Sequence, residues 1–317
     1  MMEYPKPLTF EALADLFKQR GMEVLDKDIE KLKHINYYKL KEFAHPFAKT
    51  QKIQNKVFVS YEGIKFSEVL MRYYQDKNLR LHLLHAIEKI EVSVKTELSH
   101  KLGLKYGPFG YLLFYQWVHR EKYSSFEVEE KQYKFKVSLL KSMKRQNSPE
   151  FSRKENLNKD GFPTIWLGID LLTFGELVII LDLLNSSLLS DIAAKYNTTS
   201  EEFLSWMKCL SFIRNICAHN GNLIDVKLKT KPKYRKKWMS YLYLRTSRDG
   251  KQTYPTDRLS IVLCIVIHMV NTINPNYRWK NIKSGIFSLC RDSEERAHLL
   301  GFRSLKDAKN IIKYILE

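Results

Sequence analysis

Cysteine is scarce in this 317-residue chain, and its four copies, Cys209, Cys217, Cys264 and Cys290, form no C-x-x-C pair. That spacing argues against a structural zinc site and against a disulfide framework. Reduced residues of a core are expected instead. Glycine and proline are also few, 12 and 9, which suits long helices better than many short strands joined by tight turns. No long apolar run is present. The greasiest stretch, residues 259–270, contains His268 and is too short to cross a bilayer, so a buried core helix is expected there. The opening MMEYPKPLTF lacks the apolar segment of a signal peptide. No membrane role and a cytoplasmic location are the expectation.

Negative charge is in deficit: 35 acidic against 53 basic residues leave a net charge of +18. A chain this basic is expected to meet a polyanion, nucleic acid first. No single amphipathic helix gathers the positive charge as a membrane-surface helix would.

Apolar spacing is helical along most of the chain. Thr9 is a candidate N-cap for a helix that Gly21 stops, and a second helix is expected over 28–40. Leu79, Leu83, Leu84, Ile87, Ile90, Val94 and Leu98 form the stripe of one or two long helices over 66–104. Further helices are expected over 125–145, 166–184, 189–196 and 200–218, with residues 145–163 as a linker or exposed loop. This divides the chain into an N-terminal helical segment (1–60), a helical core (61–225), a basic insertion (226–256) and closing helices that pack on the core (257–317). Within the insertion, Asp249-Gly250 separates two strand-like runs and suggests a small hairpin. The fold class expected is all-α.

One polar cluster interrupts an apolar stretch: FIRNICAHNGNL, residues 212–223. Arg214, Asn215 and His219 are the candidate functional residues. An Arg followed by a His at such spacing is weak by itself, since Arg80/His85 and Arg291/His298 also occur. Arg80 is followed by Leu81 and lacks a polar neighbour, and Arg291 sits in the charged RDSEERAH, which suggests an exposed helix start. His82, His85 and Glu88 lie one turn apart, but without a carboxylate-rich cluster they are not a metal site. Asn215 and His219, four apart, share a helical face. Arg214 and His219 point about 140° apart on a straight helix. Either the helix ends near Ala218 or a second chain supplies the missing partner. The residues alone leave two alternatives, a catalytic set and a satisfied Arg–Asn–His network inside a core.

The segments KPLTFEALADLFKQRGM, INYYKL, KNLRLHLLHAIEKIEVSVKTELSHKLG, YGPFGY, TFGEL and LSWMKCLSFIRNICAHNGNL resemble, in order and over nearly the full length, the Abi family of bacterial abortive-infection proteins, its AbiD/AbiF-like group. The last segment is similar to the RN-x-x-x-H signature of the HEPN ribonuclease superfamily. Members commonly continue His-x-x-Arg-Leu, whereas Asn222 stands where that Arg would be. The resemblance implies a HEPN-type helical bundle and metal-independent RNA cleavage by a toxin of phage defence, with no cofactor. It assigns His219 to proton transfer, Arg214 to the phosphate and Asn215 to orientation. Glu88, Glu91 and Asn220 are auxiliary candidates, the two glutamates as structural ion pairs or braces for Arg214.

After the motif the composition turns basic. Lys229, Lys231, Lys233, Arg235, Lys236, Lys237, Arg245 and Arg248 are candidate RNA contacts, interleaved with Tyr234, Trp238, Tyr241 and Tyr243 that could stack unpaired bases. Expected partners are RNA as substrate, a structured small RNA as antitoxin, and a second copy of the chain in a homodimer with a composite site. The alternative from another class is a non-catalytic RNA-binding module or regulator on a HEPN fold.

Overall fold

A computed structural model describes residues 7–53, 56–247 and 249–317. Among the described residues there are thirteen α-helices and two small antiparallel hairpins, so the fold is all-α. Helix α1 (Phe10–Lys18) is capped by Thr9 as its sequence suggests. The single helix expected over 28–40 is two, α2 (Asp26–Leu32) and α3 (Tyr37–Ala44). The break occurs because Asn36 turns its side chain onto the Tyr38 N–H, 2.8 Å away, and starts a new helix. A hairpin follows that sequence patterning had not revealed, β1 (Lys49–Ile53) with β2 (Lys56–Ser60).

Helix α4 (Phe66–Tyr106) runs unbroken for 41 residues, roughly 60 Å. Leu79, Leu83, Ile87, Ile90, Val94 and Leu98 of its stripe are fully buried, and no Pro interrupts them. Gly107 ends it at φ 75, a left-handed value that costs glycine little. Helix α5 (Ser125–Met143) opens with a Ser124/Glu127 capping box. Residues 145–163 contain two short 3₁₀ turns and no longer element.

The helix expected over 166–184 is also divided, into α6 (Ile165–Gly168) and α7 (Phe174–Leu183). Thr173 and Glu176 form a reciprocal cap that begins α7 afresh. Helices α8 (Ser186–Lys195) and α9 (Ser200–Ala218) follow, the latter capped by Thr199 and Glu202. The hairpin β3 (Leu244–Thr246) with β4 (Thr253–Pro255) lies where Asp249-Gly250 placed it.

Helix α10 (Leu259–Ile273) is buried almost all round, as its apolar run requires, and α11 (Lys280–Cys290), α12 (Glu294–Leu299) and α13 (Leu305–Leu316) close the chain. One hydrophobic core extends from Ala14 to Ile315. Helix α9 packs on α4, α7, α8 and α10, so the motif helix is held on several sides. All four cysteines are free and buried. Among the described residues no helix is long and apolar enough to cross a membrane.

Candidate active site

Helix α9 ends at Ala218. His219 is its C-cap residue, with φ −102 and ψ 25, and its N–H still bonds the Asn215 carbonyl at 2.9 Å. Asn220 then takes a left-handed φ of 56, and the Gly221 N–H returns to the Ile216 carbonyl at 2.8 Å. That 6→1 bond is the Schellman stop, with Asn in the position most helices give to Gly. Gly221 has its own constraint: a Cβ there would lie 2.8 Å from Ile216 Cγ2. The helix does end near Ala218, yet among the described residues Arg214 and His219 make no contact with each other.

The three motif side chains face outward. Arg214 is half-buried; Asn215 and His219 are exposed. Among the described residues their one mutual contact is Arg214 Nη1 to Asn215 Oδ1 at 3.5 Å. Among the described residues Arg214, Asn215 and His219 therefore form no buried, satisfied network. Cys217, inside the motif, is held as a thiol, because burial pushes its pKa up to about 12.

A buried polar seam does lie beneath the motif, built from α4. Arg72, Asp76 and Arg80 recur at four-residue intervals and so share one helical face, each almost fully buried. Arg80 donates from Nε to Asp76 Oδ2 at 2.7 Å, and from Nη2 to Asn220 Oδ1 at 2.7 Å. Its Nη1 reaches the Cys217 carbonyl at 3.5 Å. Asp76 Oδ1 accepts the N–H groups of Leu223 and Ile224 at 2.8 and 3.0 Å. One turn earlier Arg72 is ion-paired with Asp225. Three side chains of one helix thus hold the segment that leaves the motif, Asp76 through its backbone and Arg72 and Arg80 through the Asp225 and Asn220 side chains. Burial pushes the Asp76 carboxyl above its ordinary pKa, outweighing Arg80 and the Ile224 and Leu223 N–H groups, which favour the charged form.

Arg80 accordingly has the polar neighbour that Leu81 seemed to deny it, four residues back rather than one ahead. The spacing of Arg72, Asp76 and Arg80 was the available signal. Its companion His85 lies apart from this seam, with Nδ1 3.1 Å from the Tyr277 hydroxyl. Among the described residues no three His, Cys, Asp or Glu side chains are grouped to hold a metal ion.

Several other candidates are placed elsewhere. Glu91 pairs with Lys95 at 2.9 Å and Glu88 is exposed; among the described residues neither makes a hydrogen bond or ion pair with Arg214. Asn220 does join the motif region, through Arg80. Asn222 donates to Asp225 Oδ2 at 2.8 Å and accepts the Asp225 N–H at 3.1 Å, stiffening the exit loop.

The basic segment is stitched back onto α9. Trp206 Nε1 donates to the Lys233 carbonyl at 2.7 Å, and Lys233 N–H donates to Ser205 Oγ at 2.8 Å. Arg235, a candidate RNA contact, is half-buried and is engaged within the fold. Its guanidinium pairs with Glu202 at 3.3 Å, binds the Asn197 carbonyl, and lies 5.2 Å from the Trp206 ring. It also donates to His268 Nδ1 at 3.3 Å, while His268 Nε2 lies 2.9 Å from the Tyr196 carbonyl. An imidazole that accepts on one nitrogen and donates on the other is neutral. Burial first, then the Arg235 and Lys237 charges, hold His268 below its ordinary pKa against the Tyr196 carbonyl.

Trp238 is likewise unavailable for stacking a base, being fully buried against Trp206 with 5.3 Å between rings. Tyr241 is stacked on Tyr314. Lys229, Lys231, Lys233, Lys236, Lys237 and Arg245 do reach solvent, Lys233 paired with Glu201 and Lys231 over the Tyr254 ring. Arg248 lies outside the described residues.

Comparison with curated proteins and with solved structures finds no match for this chain. Among protein families, the Abi-like protein family, Abi_2, matches residues 30–225, from within α2 to the loop that Arg72 holds. This is narrower than the nearly full-length likeness expected, and it leaves out α1 and everything after Asp225. It nevertheless covers more than half of the chain, α9 and the buried seam included, and the chain belongs to the Abi-like protein family.

Proposed function

We propose that this protein is an endoribonuclease of the HEPN superfamily, of the AbiD/AbiF-like group, and the toxin of an abortive-infection defence against phage. The observation that carries this is the outward presentation of Arg214, Asn215 and His219 where α9 stops. The fold is held below them by Asp76 and Arg80, so the motif side chains are left to meet a ligand. Polar groups that served the fold alone would be partnered within it.

The chemistry suits RNA, which carries its own nucleophile. The 2′ oxygen attacks phosphorus, the bond from phosphorus to the 5′ oxygen breaks, and the products are a 2′,3′-cyclic phosphate and a 5′-OH. The protein needs to move two protons and to hold the charge on phosphorus. The His219 imidazole takes the 2′-OH proton or supplies one to the leaving oxygen. Arg214 grips the phosphate oxygens with a guanidinium fork, and Asn215 orients the His or the phosphate. No metal is required for these steps, since nothing else needs activating.

A single α9 aims Arg214 and His219 apart, and a two-fold homodimer that brings two α9 ends together supplies both groups to one phosphate. Phe212, 38% exposed on the same helix, adds apolar area for such a contact. The +18 charge supports a structured small RNA as the restraining partner.

A second class of function, an RNA-binding module without catalysis, is favoured by one observation. The exposed lysines of the basic segment are held on α9 by contacts that do not involve Arg214 or His219. Incubating purified protein with RNA in EDTA, with and without His219→Ala, separates the two. Cleavage that survives EDTA and needs His219 selects the nuclease; binding without cleavage selects the module.

A further inference from the structure

Asn220, the neighbour of His219, lines an open cleft of about 390 Å³ together with His34, Asn36, Tyr38 and Lys39. A second cleft, of about 520 Å³, is lined by Lys41, His45, Asn222, Lys227 and Arg258. Tyr38 and Glu42 line both, so the clefts adjoin across those two side chains. Each volume falls in the range of small-ligand sites, about 300–1,000 Å³.

Two properties define what this trough accepts. Tyr38 is 71% exposed, large for an aromatic side chain beside a cleft, and meets Tyr37 in a T-shaped contact with ring centres 5.3 Å apart. It leaves ring surface open for a flat ligand. Charge is the second property. Both acids of the trough are neutralised from within the fold, Glu42 by Lys39 at 2.9 Å and Asp225 by Arg72. Lys41 and Lys227 have no ion-pair partner among the described residues, and Arg258 spends one nitrogen on the Asp225 carbonyl at 3.3 Å. The net field is cationic beside an open aromatic ring. Backbone-tracking cations with a stacking platform are how single-stranded nucleic acid is held.

We propose that this trough is a single-strand RNA subsite of the motif. A base flanking the phosphate at His219 stacks on Tyr38, and Lys41, Lys227 and Arg258 hold the adjoining phosphates. The proposal rests on RNA being the ligand of the His219 site. It does not depend on cleavage. The path from His219 to Tyr38 runs through Asn220, whose position Arg80 fixes, so the subsite is in register with the motif.

The test is fluorescence anisotropy with a short, unstructured, fluorescein-labelled oligoribonucleotide, in a His219→Ala background that keeps the RNA intact. Tyr38→Ala is expected to weaken binding about tenfold, the size of one lost base–aromatic stack. Tyr38→Phe should keep the affinity, because stacking needs the ring and not the hydroxyl. Lys41→Glu with Lys227→Glu should weaken binding at least tenfold and flatten its salt dependence. A pre-annealed duplex of the same sequence should be indifferent to Tyr38→Ala. Unchanged single-strand affinity in Tyr38→Ala overturns the subsite, as does an equal loss in Tyr38→Phe. Wild-type protein that binds through Tyr38 and cleaves nothing retires the nuclease and leaves the subsite. His219-dependent cleavage with Tyr38-independent binding retires the subsite alone.

Discussion

Arg80, in the middle of α4, donates from Nη2 to the side-chain oxygen of Asn220, 140 residues later and one residue past His219. The same guanidinium holds Asp76, whose other oxygen takes the Leu223 and Ile224 N–H groups of the exit loop. The shape of the chain at the motif is therefore decided by a helix remote in sequence.

Breaking that pair should cost the fold. Arg80→Ala leaves the Asp76 carboxylate buried without its counter-ion, and such losses run to about 3–5 kcal/mol. His219→Ala removes an exposed side chain and should shift stability by no more than about 0.5 kcal/mol. Urea titrations of both variants check this. Equal destabilisation would mean that the motif is part of the structural seam after all.

Growth arrest on expression should follow the motif. His219→Ala and Arg214→Ala should each abolish it while circular dichroism stays that of the wild type. Arg80→Ala with His85→Ala should abolish it only together with a lowered melting temperature. An arrest that persists in His219→Ala points to toxicity from another source.

The composite site can be tested by complementation. Arg214→Ala and His219→Ala proteins should be inactive alone, and their mixed dimer should recover some cleavage, because one intact Arg then meets one intact His. Native mass spectrometry establishes that the mixed dimer has formed. With that shown, no recovery of cleavage would falsify the shared site.

The basic segment should divide by what each cation touches. Reversing Lys229, Lys231, Lys236 and Lys237 to Glu should weaken RNA binding and reduce its salt dependence while the protein stays folded. Arg235→Glu should instead lower the melting temperature, since it loses Glu202, the Asn197 carbonyl and the Trp206 ring at once. RNA filter binding across a salt series, with a melt for each variant, reads both.

Stability should decline as pH falls below about 6.5, the ordinary imidazole value. His268 is held below that value in the fold, so between the two pKa values the unfolded chain binds the extra proton. The native state gains this contribution above about 6.5 and loses it as pH drops through the folded value. Replacing His268 by Gln should lessen the fall in melting temperature between pH 7.5 and 5.5. An unchanged slope would assign the acid sensitivity to other groups.

Much of the architecture was written in local patterns. The α9 boundaries follow from a Thr199/Glu202 box and an apolar face, and α10 from a mostly apolar run, because caps and burial act over a few residues. The breaks before Tyr37 and Phe174 were legible in principle from Asn36 and from Thr173 with Glu176, but apolar spacing continued across them. The motif too stood in the sequence as FIRNICAHNGNL, with Asn215 and His219 four apart, but a buried network fitted the same residues, and only the packing of α9 turns these side chains outward. What sequence spacing could not supply was contact between distant segments. Arg80 is legible in the sequence as one of three Arg/His matches, but its bond to the loop after α9 is not. The spacing of Arg235 does not show that Trp206 and Glu202 close on it, nor that of Tyr38 that Asn220 lies beside it. Periodicity and capping fix where helices run; which charges face each other, and which remain for a ligand, depends on packing between elements far apart along the chain.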